Sequence, residues 1–240
     1  MINNKKILAV IPARGGSKGV KDKNIRLINN KPAIYWPFIS AKKTKLIDEV
    51  IISSDSPKIL KIAKKLNIKI PFIRPKKYAT DNSSSYSVVK HAIKFYEKQK
   101  IFFDYIILLE PSSPFTDSND IKKALKKLII NSKKYDSLVS VAFSSKYHPQ
   151  YFFKKKNNYI MPINKKVNNL RRQKLDKLYF IDGSLYVSKI KSYLKNKGFI
   201  SKKTTFLEMP KFKSFEIDDL LDYKIINFLS GKKNEIKKIY

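Results

Sequence analysis

Continuous apolar runs alternate with helix-like segments along most of this chain, and this alternation constrains the fold more than any other feature. The runs have no polar face, as strands buried on both sides of a parallel sheet require. They lie at residues 6–12, 49–53, 104–109 and 137–142. Segments with helical spacing of apolar residues lie between them, at 57–66, 84–98 and 117–131. Ser56 or Asp55 can cap the first of these helices. This order predicts an α/β fold with right-handed crossovers.

The pattern breaks after Phe143. Residues 144–178 are polar, aromatic and lysine-rich, with turn signals at 148–149 and 157–158, so short strands fit there better than another strand–helix–strand unit. Strand patterns return at 184–188 and 204–209, and a last helix is predicted at 218–230. We therefore predict one domain over residues 1–240, with a Rossmann-like, mostly parallel sheet flanked by helices and an inserted dimerisation arm at 144–178.

Composition limits the cellular compartment and the kinds of partner that fit this protein. The 240 residues include no cysteine, which excludes disulfides and thiolate metal sites and favours a reducing, cytoplasmic location. The apolar run at 7–11 is too short for a signal core or a membrane span, so we expect no membrane partner. The net charge of +33 is typical of a nucleic-acid-binding protein, which remains a rival interpretation. However, only five of the 52 basic residues are arginine, and the lysines are dispersed. Solvated surface lysine explains this better, with a general attraction for anionic substrates.

A glycine-rich loop follows the first predicted strand. The stretch IPARGGSKGV, residues 11–20, holds three of the six glycines in the chain. Ligands of open α/β sheets bind at the carboxyl ends of strands, where glycines let backbone amides surround an anion. Arg14, Lys18 and Lys23 add positive charge. The P-loop and G-x-G-x-x-G patterns are absent, and a tight turn with positive φ at two glycines is the alternative. The sequence favours a phosphate site.

Six segments, in order, resemble the CMP-sialic acid synthetase (acylneuraminate cytidylyltransferase) family. They span nearly the whole chain, and six ordered matches are more specific than any one alone. The segments are IPARGGSKGVKDKN at 11–24, RPKKYATDNSSS at 74–85, LLEPSSPF at 108–115, HP at 148–149, RRQKLDKLYFIDGSLYV at 171–187 and SFEIDDLLD at 214–222.

The resemblance implies a nucleotidyltransferase-type fold, and the interruption of the α/β pattern at 144–178 predicts a homodimer through that arm. The resemblance implies that CTP reacts with an acidic nine-carbon α-keto sugar to give a CMP-sugar and pyrophosphate, with Mg²⁺ or Mn²⁺. It makes Arg14, Lys23 and Asp218 the catalytic residues. The implied nucleotide-binding residues are Ala13, Arg14, Gly15, Gly16, Ser17, Lys18, Lys23, Asn24, Arg74 and Ser85.

On the sugar side the resemblance points to Glu110, Ser112, Ser113, Arg172, Gln173 and Asp182. The two serines can also be simple turn formers before Pro114. For the metal, Glu216 and Asp218 are spaced to share one face of a strand end, which suits a divalent ion. Asp218 can instead cap the last helix.

Four positions depart from the family pattern. Glu110 replaces a common Gln, Asp182 replaces the Asn of Asn-Gly, Glu216 replaces an Asp, and Phe180 stands where a sugar-side Arg is expected. Three of these lie on the acceptor side, so the sugar is open among sialic, legionaminic and related nonulosonic acids. A KDO-type enzyme, an enzyme using another NTP and a catalytically inactive relative are the further alternatives.

Overall fold

The computed structural model describes residues 2, 4–144, 147–163, 175–232 and 235–236. Within these residues the strands are β1 (Ile7–Pro12), β2 (Leu27–Ile28), β3 (Lys31–Pro32), β4 (Glu49–Ser53), β5 (Tyr105–Leu109), β6 (Ser137–Phe143), β7 (Phe153–Lys156), β8 (Tyr159–Pro162), β9 (Tyr179–Lys189) and β10 (Thr204–Glu208). The α-helices are α1 (Tyr35–Thr44), α2 (Pro57–Lys65), α3 (Ser85–Lys98), α4 (Ser118–Ile130), α5 (Ile190–Asn196) and α6 (Leu220–Gly231).

Six strands form the central sheet in the order β10-β6-β9-β5-β1-β4. β1 pairs in parallel with β4 and β5, and β10 pairs in parallel with β6. β9 runs antiparallel between β5 and β6. The predicted α/β architecture with a mostly parallel sheet is therefore confirmed. The short strand predicted at 184–188 is part of a longer strand that runs against its neighbours.

The strands are buried on both faces, which explains why their sequences have no polar face. In β1, Ile7, Ala9 and Ile11 pack against α1, α2 and α4 on one side of the sheet. Leu8 and Val10 pack against α3 and α5 on the other side. A third apolar cluster joins the loop after β1 to α6 through Val20, Phe212, Ile217 and Ile226, among others. This cluster brings distant segments of the chain to the carboxyl ends of β1 and β5.

Periodicity did not predict α1, α5 or the β2–β3 hairpin. Helix α1 buries Phe38, Ser40, Ala41 and Thr44, so apolar and small polar residues share its inner side and the amphipathic pattern is weak. Pro37 lies in the first turn, where a helix tolerates proline. Helix α5 has only seven residues, too few for a clear period.

Side-chain caps set several helix starts. Ser56 caps α2 by accepting a hydrogen bond from the amide of Ile59, which decides between the two cap candidates. The last helix begins at Leu220, with Asp219 as its N-cap, two residues later than the sequence pattern predicts. Asp218 is therefore not the helix cap.

The described part of the predicted arm contains a β-hairpin. β7 and β8 pair antiparallel around a turn at 157–158, where Asn157 has a φ of 53°. The short strands expected in this region are confirmed, while residues 145–146 and 164–174 lie outside the description. Among the described residues, every helix is too short or too polar to cross a membrane.

Candidate active site

A pocket of about 330 Å³ lies at the carboxyl ends of β1, β4 and β5. The loop after β1 forms one wall, and the segment between α2 and α3 with the start of α3 forms another. The turn after β5 and the residue before the cap of α6 close the remaining side. The lining residues are Pro12, Arg14, Ser17, Lys18, Gly19, Lys23, Asn24, Arg74, Ser83, Ser85, Val88, Glu110, Ser112 and Asp218.

Two glycines shape the loop after β1. Gly16 has a φ of +70°, which favours glycine. Gly19 passes so close to the backbone of Asp218 that a Cβ there would lie 2.0 Å from the Asp218 carbonyl oxygen. Of the three glycines in this loop only Gly16 has a positive φ. The alternative of a tight turn with two positive-φ glycines is therefore wrong. The amide of Gly15 already donates to Asp55 Oδ1 at 3.0 Å, so the predicted anion nest lacks this amide.

Exposed and half-buried cations line the pocket. Asp81 bridges two of them: its carboxylate lies 2.7 Å from Arg14 Nη1 and 2.7 Å from Lys18 Nζ, and these contacts hold the pKa of Asp81 below its usual value. Lys23 Nζ donates to the carbonyl of Ile217 at 2.9 Å and lies 3.7 Å from Asp218 Oδ1.

Arg74 is the buried cation of the site, with 3% of its surface exposed. Its guanidinium donates to Ser53 Oγ at 3.0 Å and also to the Ser53 carbonyl oxygen. Burial lowers the pKa of Arg74 to about 10, so it stays protonated at neutral pH. Four cations thus face two carboxylates, Glu110 and Asp218, in the lining, and this balance suits a polyphosphate.

The start of α3 strengthens this assignment. Ser83 and Ser85 line the pocket beside the N-terminal turn of the helix, whose cap is Ser84. Helix N-termini carry partial positive charge and unpaired amides, which favour phosphate. Sequence reasoning identified Ser85 as a site residue but did not include Pro12, Gly19, Ser83 or Val88, which also line the pocket.

Acidic residues lie close together at the pocket, with Glu110 and Asp218 in its lining and Glu216 near both. Burial, and then the charge of Glu216, raise the pKa of Glu110 to about 7. Burial, and then the charges of Asp218 and Asp182, raise the pKa of Glu216 to about 7, although Ser113 Oγ donates to its Oε1 at 3.1 Å. Burial away from water is the main cause of both pKa shifts, and the nearby negative charges add to it.

A family model for cytidylyltransferases matches residues 8–218. The chain belongs to the cytidylyltransferase family. It is 35% identical over 229 residues to post-translational flagellin modification protein B of Campylobacter coli, covering 95% of this chain and 96% of that protein. It is 31% identical to pseudaminic acid cytidylyltransferase of Campylobacter jejuni, covering 96% and 98%. It is also 31% identical to N-acylneuraminate cytidylyltransferase of Escherichia coli, covering 97% of this chain and 54% of that protein.

A solved structure of CMP:2-keto-3-deoxy-manno-octonic acid synthetase complexed with CTP shares the fold of this cytidylyltransferase. The TM-score is 0.68, the sequence identity is 16%, and the match covers 95% of this chain and 99% of that chain. These comparisons make the protein a nucleotidyltransferase and agree with the resemblance read from its motifs.

Several predicted site residues serve the cytidylyltransferase as scaffold. Ala13 is fully buried, and its amide donates to the Ser53 carbonyl at 2.9 Å. Asn24 Nδ2 donates to the Arg14 carbonyl at 2.9 Å and so holds the loop. Gly15, Gly16 and Ser113 lie outside the pocket lining.

Asp182, predicted to bind sugar, is 1% exposed and does not line the pocket. Its Oδ1 accepts hydrogen bonds from Ser140 Oγ and the Ser184 amide, and burial raises its pKa. In this structure Asp182 supports the site from below. Arg172 and Gln173 lie outside the described residues.

The strand-face argument for the metal residues is wrong. Glu216 and Asp218 lie in irregular backbone between a 3₁₀ turn (Lys211–Ser214) and α6, not on a strand. Within the described residues no group of three or more His, Cys, Asp or Glu is arranged to hold a metal ion. The two acids are still electrostatic neighbours, because the Asp218 charge raises the pKa of Glu216.

Proposed function

We propose that this cytidylyltransferase activates a nonulosonic acid with CTP, releasing pyrophosphate and a CMP-sugar. The convergence of Arg14, Lys18, Lys23 and Arg74 on one pocket at the strand ends carries the proposal. The named activities of the relatives, on pseudaminic acid and on N-acylneuraminate, supply the acceptor class. We further propose that the enzyme works in the cytoplasm, where CTP is available.

The chemistry follows from charge and position. A hydroxyl oxygen of the sugar attacks the α-phosphorus of CTP. The new P–O bond forms as the bond between the α-phosphorus and the bridging oxygen of the β-phosphate breaks, the hydroxyl proton passes to solvent, and pyrophosphate leaves. Arg14 and Lys23 would stabilise the negative charge that develops on the phosphates, and preorganised cations are the strongest aid to such a transfer. Arg74, Ser17 and Ser85 would hold the nucleotide.

The donor set at the pocket fits Mg²⁺ or Mn²⁺. Asp218 lines the pocket with a side chain that is 78% exposed, and Glu216 stands beside it. Mg²⁺ typically takes one or two protein carboxylates together with phosphate oxygens and waters. When bound it would supply positive charge at the phosphates. Glu110 and Ser112, which line the pocket, would face the acceptor sugar.

The assay incubates the protein with each NTP, Mg²⁺ and a panel of nonulosonic acids, and follows pyrophosphate release. We expect turnover with CTP and at least one nonulosonic acid, loss of activity with EDTA, and recovery with Mg²⁺ or Mn²⁺. Asp218→Asn should lose far more activity than Glu216→Asp. Asp219→Asn is the matched control, since Asn caps helices as well as Asp does. Turnover of 2-keto-3-deoxy-octonic acid alone, or of another NTP alone, would support the KDO-type or other-NTP alternatives instead.

We also propose a homodimer built through the 144–178 arm. The hairpin β7–β8 has only two strands, and such a hairpin is marginal by itself. Its apolar side chains are nevertheless exposed, and those at the start of β9 are exposed with them. This group comprises Phe152, Phe153, Tyr159, Ile160, Met161, Ile163, Tyr179, Phe180 and Ile181. Exposed apolar residues concentrated in two short segments of the chain favour a protein–protein interface there.

Sedimentation tests the dimer. We expect wild-type protein to sediment as a dimer at micromolar concentration, and Ile160→Glu to shift it toward monomer. Ile200→Glu is the control, because Ile200 is 61% exposed and lies away from the hairpin. A wild-type monomer with full activity would refute this part of the proposal.

A further inference from the structure

A buried lysine ties the pocket to the core. Lys213 is 7% exposed, and its Nζ lies 2.7 Å from Asp117 Oδ2 and 2.6 Å from Asp120 Oδ2. Asp117 and Asp120 also form the capping box at the N-terminus of α4. The ammonium group therefore sits against two carboxylates that are themselves fixed by backbone amides.

The anchor is rigid because α4 is a core helix. Ile121, Ala124 and Leu125 of α4 are fully buried against the sheet. Burial raises the pKa of Asp117, but the hydrogen bond and charge of Lys213 outweigh it and hold that pKa below its usual value. Burial wins at the more enclosed Asp120, whose pKa is raised. Lys213 therefore stabilises the charged form of both carboxylates.

Residues 211–218, which we call the site segment, lead directly from this anchor to the pocket. The amide of Ile217 donates to the Ser112 carbonyl at 3.0 Å, and its carbonyl accepts from Lys23 Nζ at 2.9 Å. The next residue, Asp218, lines the pocket. A shift of the site segment would move the partner of Lys23 and the carboxylate of Asp218 together.

Apolar contacts by themselves do not fix the position of the site segment along α4. Phe212 and Ile217 pack in the third apolar cluster, and packing of this kind is non-directional. The paired charges of Lys213 have a fixed geometry, because both acceptors are held by the start of α4. The lysine therefore supplies a directional contact near the start of the segment, while the hydrogen bonds of Glu216 and Ile217 hold its end at the pocket.

We propose that Lys213 is a positioning residue for the cytidylyl transfer: it locks the site segment onto α4 and thereby sets the relative position of Lys23 and Asp218. The inference rests on the proposed function for its effect on turnover. Its structural part, the locking of the site segment, stands independently of which substrate is used.

The test compares Lys213→Met and Asp117→Asn with a matched control. Asp117→Asn keeps an N-cap acceptor but removes one carboxylate from Lys213. Lys189→Met is the control, since Lys189 forms a partly buried ion pair with Asp136 at 2.7 Å, away from the pocket. We expect kcat to fall about 10- to 100-fold in Lys213→Met, as a misplacement of about 1 Å allows. We expect about 3- to 10-fold in Asp117→Asn, with the KM for CTP changed less than kcat in both. Lys189→Met should lower Tm but keep kcat.

Hydrogen exchange gives a readout that needs no substrate. The Ile217 amide should exchange at least about 10-fold faster in Lys213→Met or Asp117→Asn than in wild type, and be unchanged in Lys189→Met, since exchange reports local opening. If wild-type protein turns over no nonulosonic acid, the proposed function is refuted. The hydrogen exchange of the Ile217 amide then still tests whether Lys213 holds the site segment. Wild-type exchange and kcat in folded Lys213→Met would overturn the proposal. If Lys213→Met does not fold, the same results in Asp117→Asn would overturn it.

Discussion

Gly19→Ala tests whether close contact between two segments sets the geometry of the pocket. A Cβ at Gly19 would lie 2.0 Å from the carbonyl oxygen of Asp218, and real Cβ contacts essentially never fall below 3.0 Å. The loop and the site segment must then separate by at least 3.0 − 2.0 = 1.0 Å. The backbone fixes the position of the Cβ, and the carbonyl oxygen is itself a backbone atom, so no side-chain rotation relieves the overlap.

This displacement moves the groups that we assign to catalysis. A misplacement of about 1 Å costs about 10²-fold in rate, which corresponds to about 2.7 kcal/mol of transition-state stabilisation. We therefore expect kcat/KM for Gly19→Ala to fall about 10²-fold in the pyrophosphate-release assay, with cooperative thermal unfolding retained.

Gly198→Ala is the matched control, because a Cβ there meets no atom within 4 Å and the φ of Gly198 is not in the left-handed region. It should keep wild-type activity. Wild-type kcat/KM in a folded Gly19→Ala variant would refute the reasoning, since the two segments could then separate without consequence.

Three further predictions concern the charges at and near the pocket. Lys23→Ala and Arg14→Ala should each lower kcat at least ~10²-fold, the scale for losing one preorganised charge stabiliser. Asp81→Asn should tighten CTP binding about 2- to 10-fold by calorimetry, because the carboxylate competes with phosphate for Arg14 and Lys18 and exposed ion pairs are weak. Burial, then the charge of nearby Arg74, lowers the pKa of His91 below 6.5, so the unfolded state binds the proton more readily and stability is lost as pH falls. The Tm of wild type relative to His91→Phe should therefore drop between pH 7 and pH 5.

Controls for these changes come from surface charges outside the pocket. Lys64→Ala, on the exposed side of α2, should leave kcat unchanged. Glu97→Gln removes an ion pair with Lys94 on α3 and should leave CTP affinity unchanged. Equal activity of Lys23→Ala and Lys64→Ala would contradict the charge assignment. Weaker CTP binding in Asp81→Asn, or a parallel pH dependence of Tm in His91→Phe and wild type, would contradict the other two predictions.

Local sequence patterns predicted the strands whose side chains are buried on both faces of the sheet. β1, β4, β5 and β6 are apolar throughout because both faces of the sheet are covered. The glycine-rich loop was likewise predicted, since concentrated glycine and basic residues after a strand have few other uses. The same signals missed α1, whose inner side mixes apolar and polar residues, and the reversed direction of β9, which a strand pattern does not encode.

Some features of the site were likewise predictable from the sequence, and others were not. The sequence by itself predicted three of the four cations of the pocket, because Arg14, Lys18 and Lys23 all lie in the loop that follows β1. Only the tertiary structure decided that Asp55 occupies the Gly15 amide and that Asp182 is enclosed below the site.

The anchor of the site segment illustrates the physical reason. Lys213 meets Asp117 and Asp120 across 96 and 93 residues of chain. Helical and strand periods describe which face of an element is buried, but not which distant partner covers it. In the sequence Lys213 is one of many lysines typical of a solvated surface, and only the packing of α4 against the end of β10 and the site segment makes it a buried ion pair.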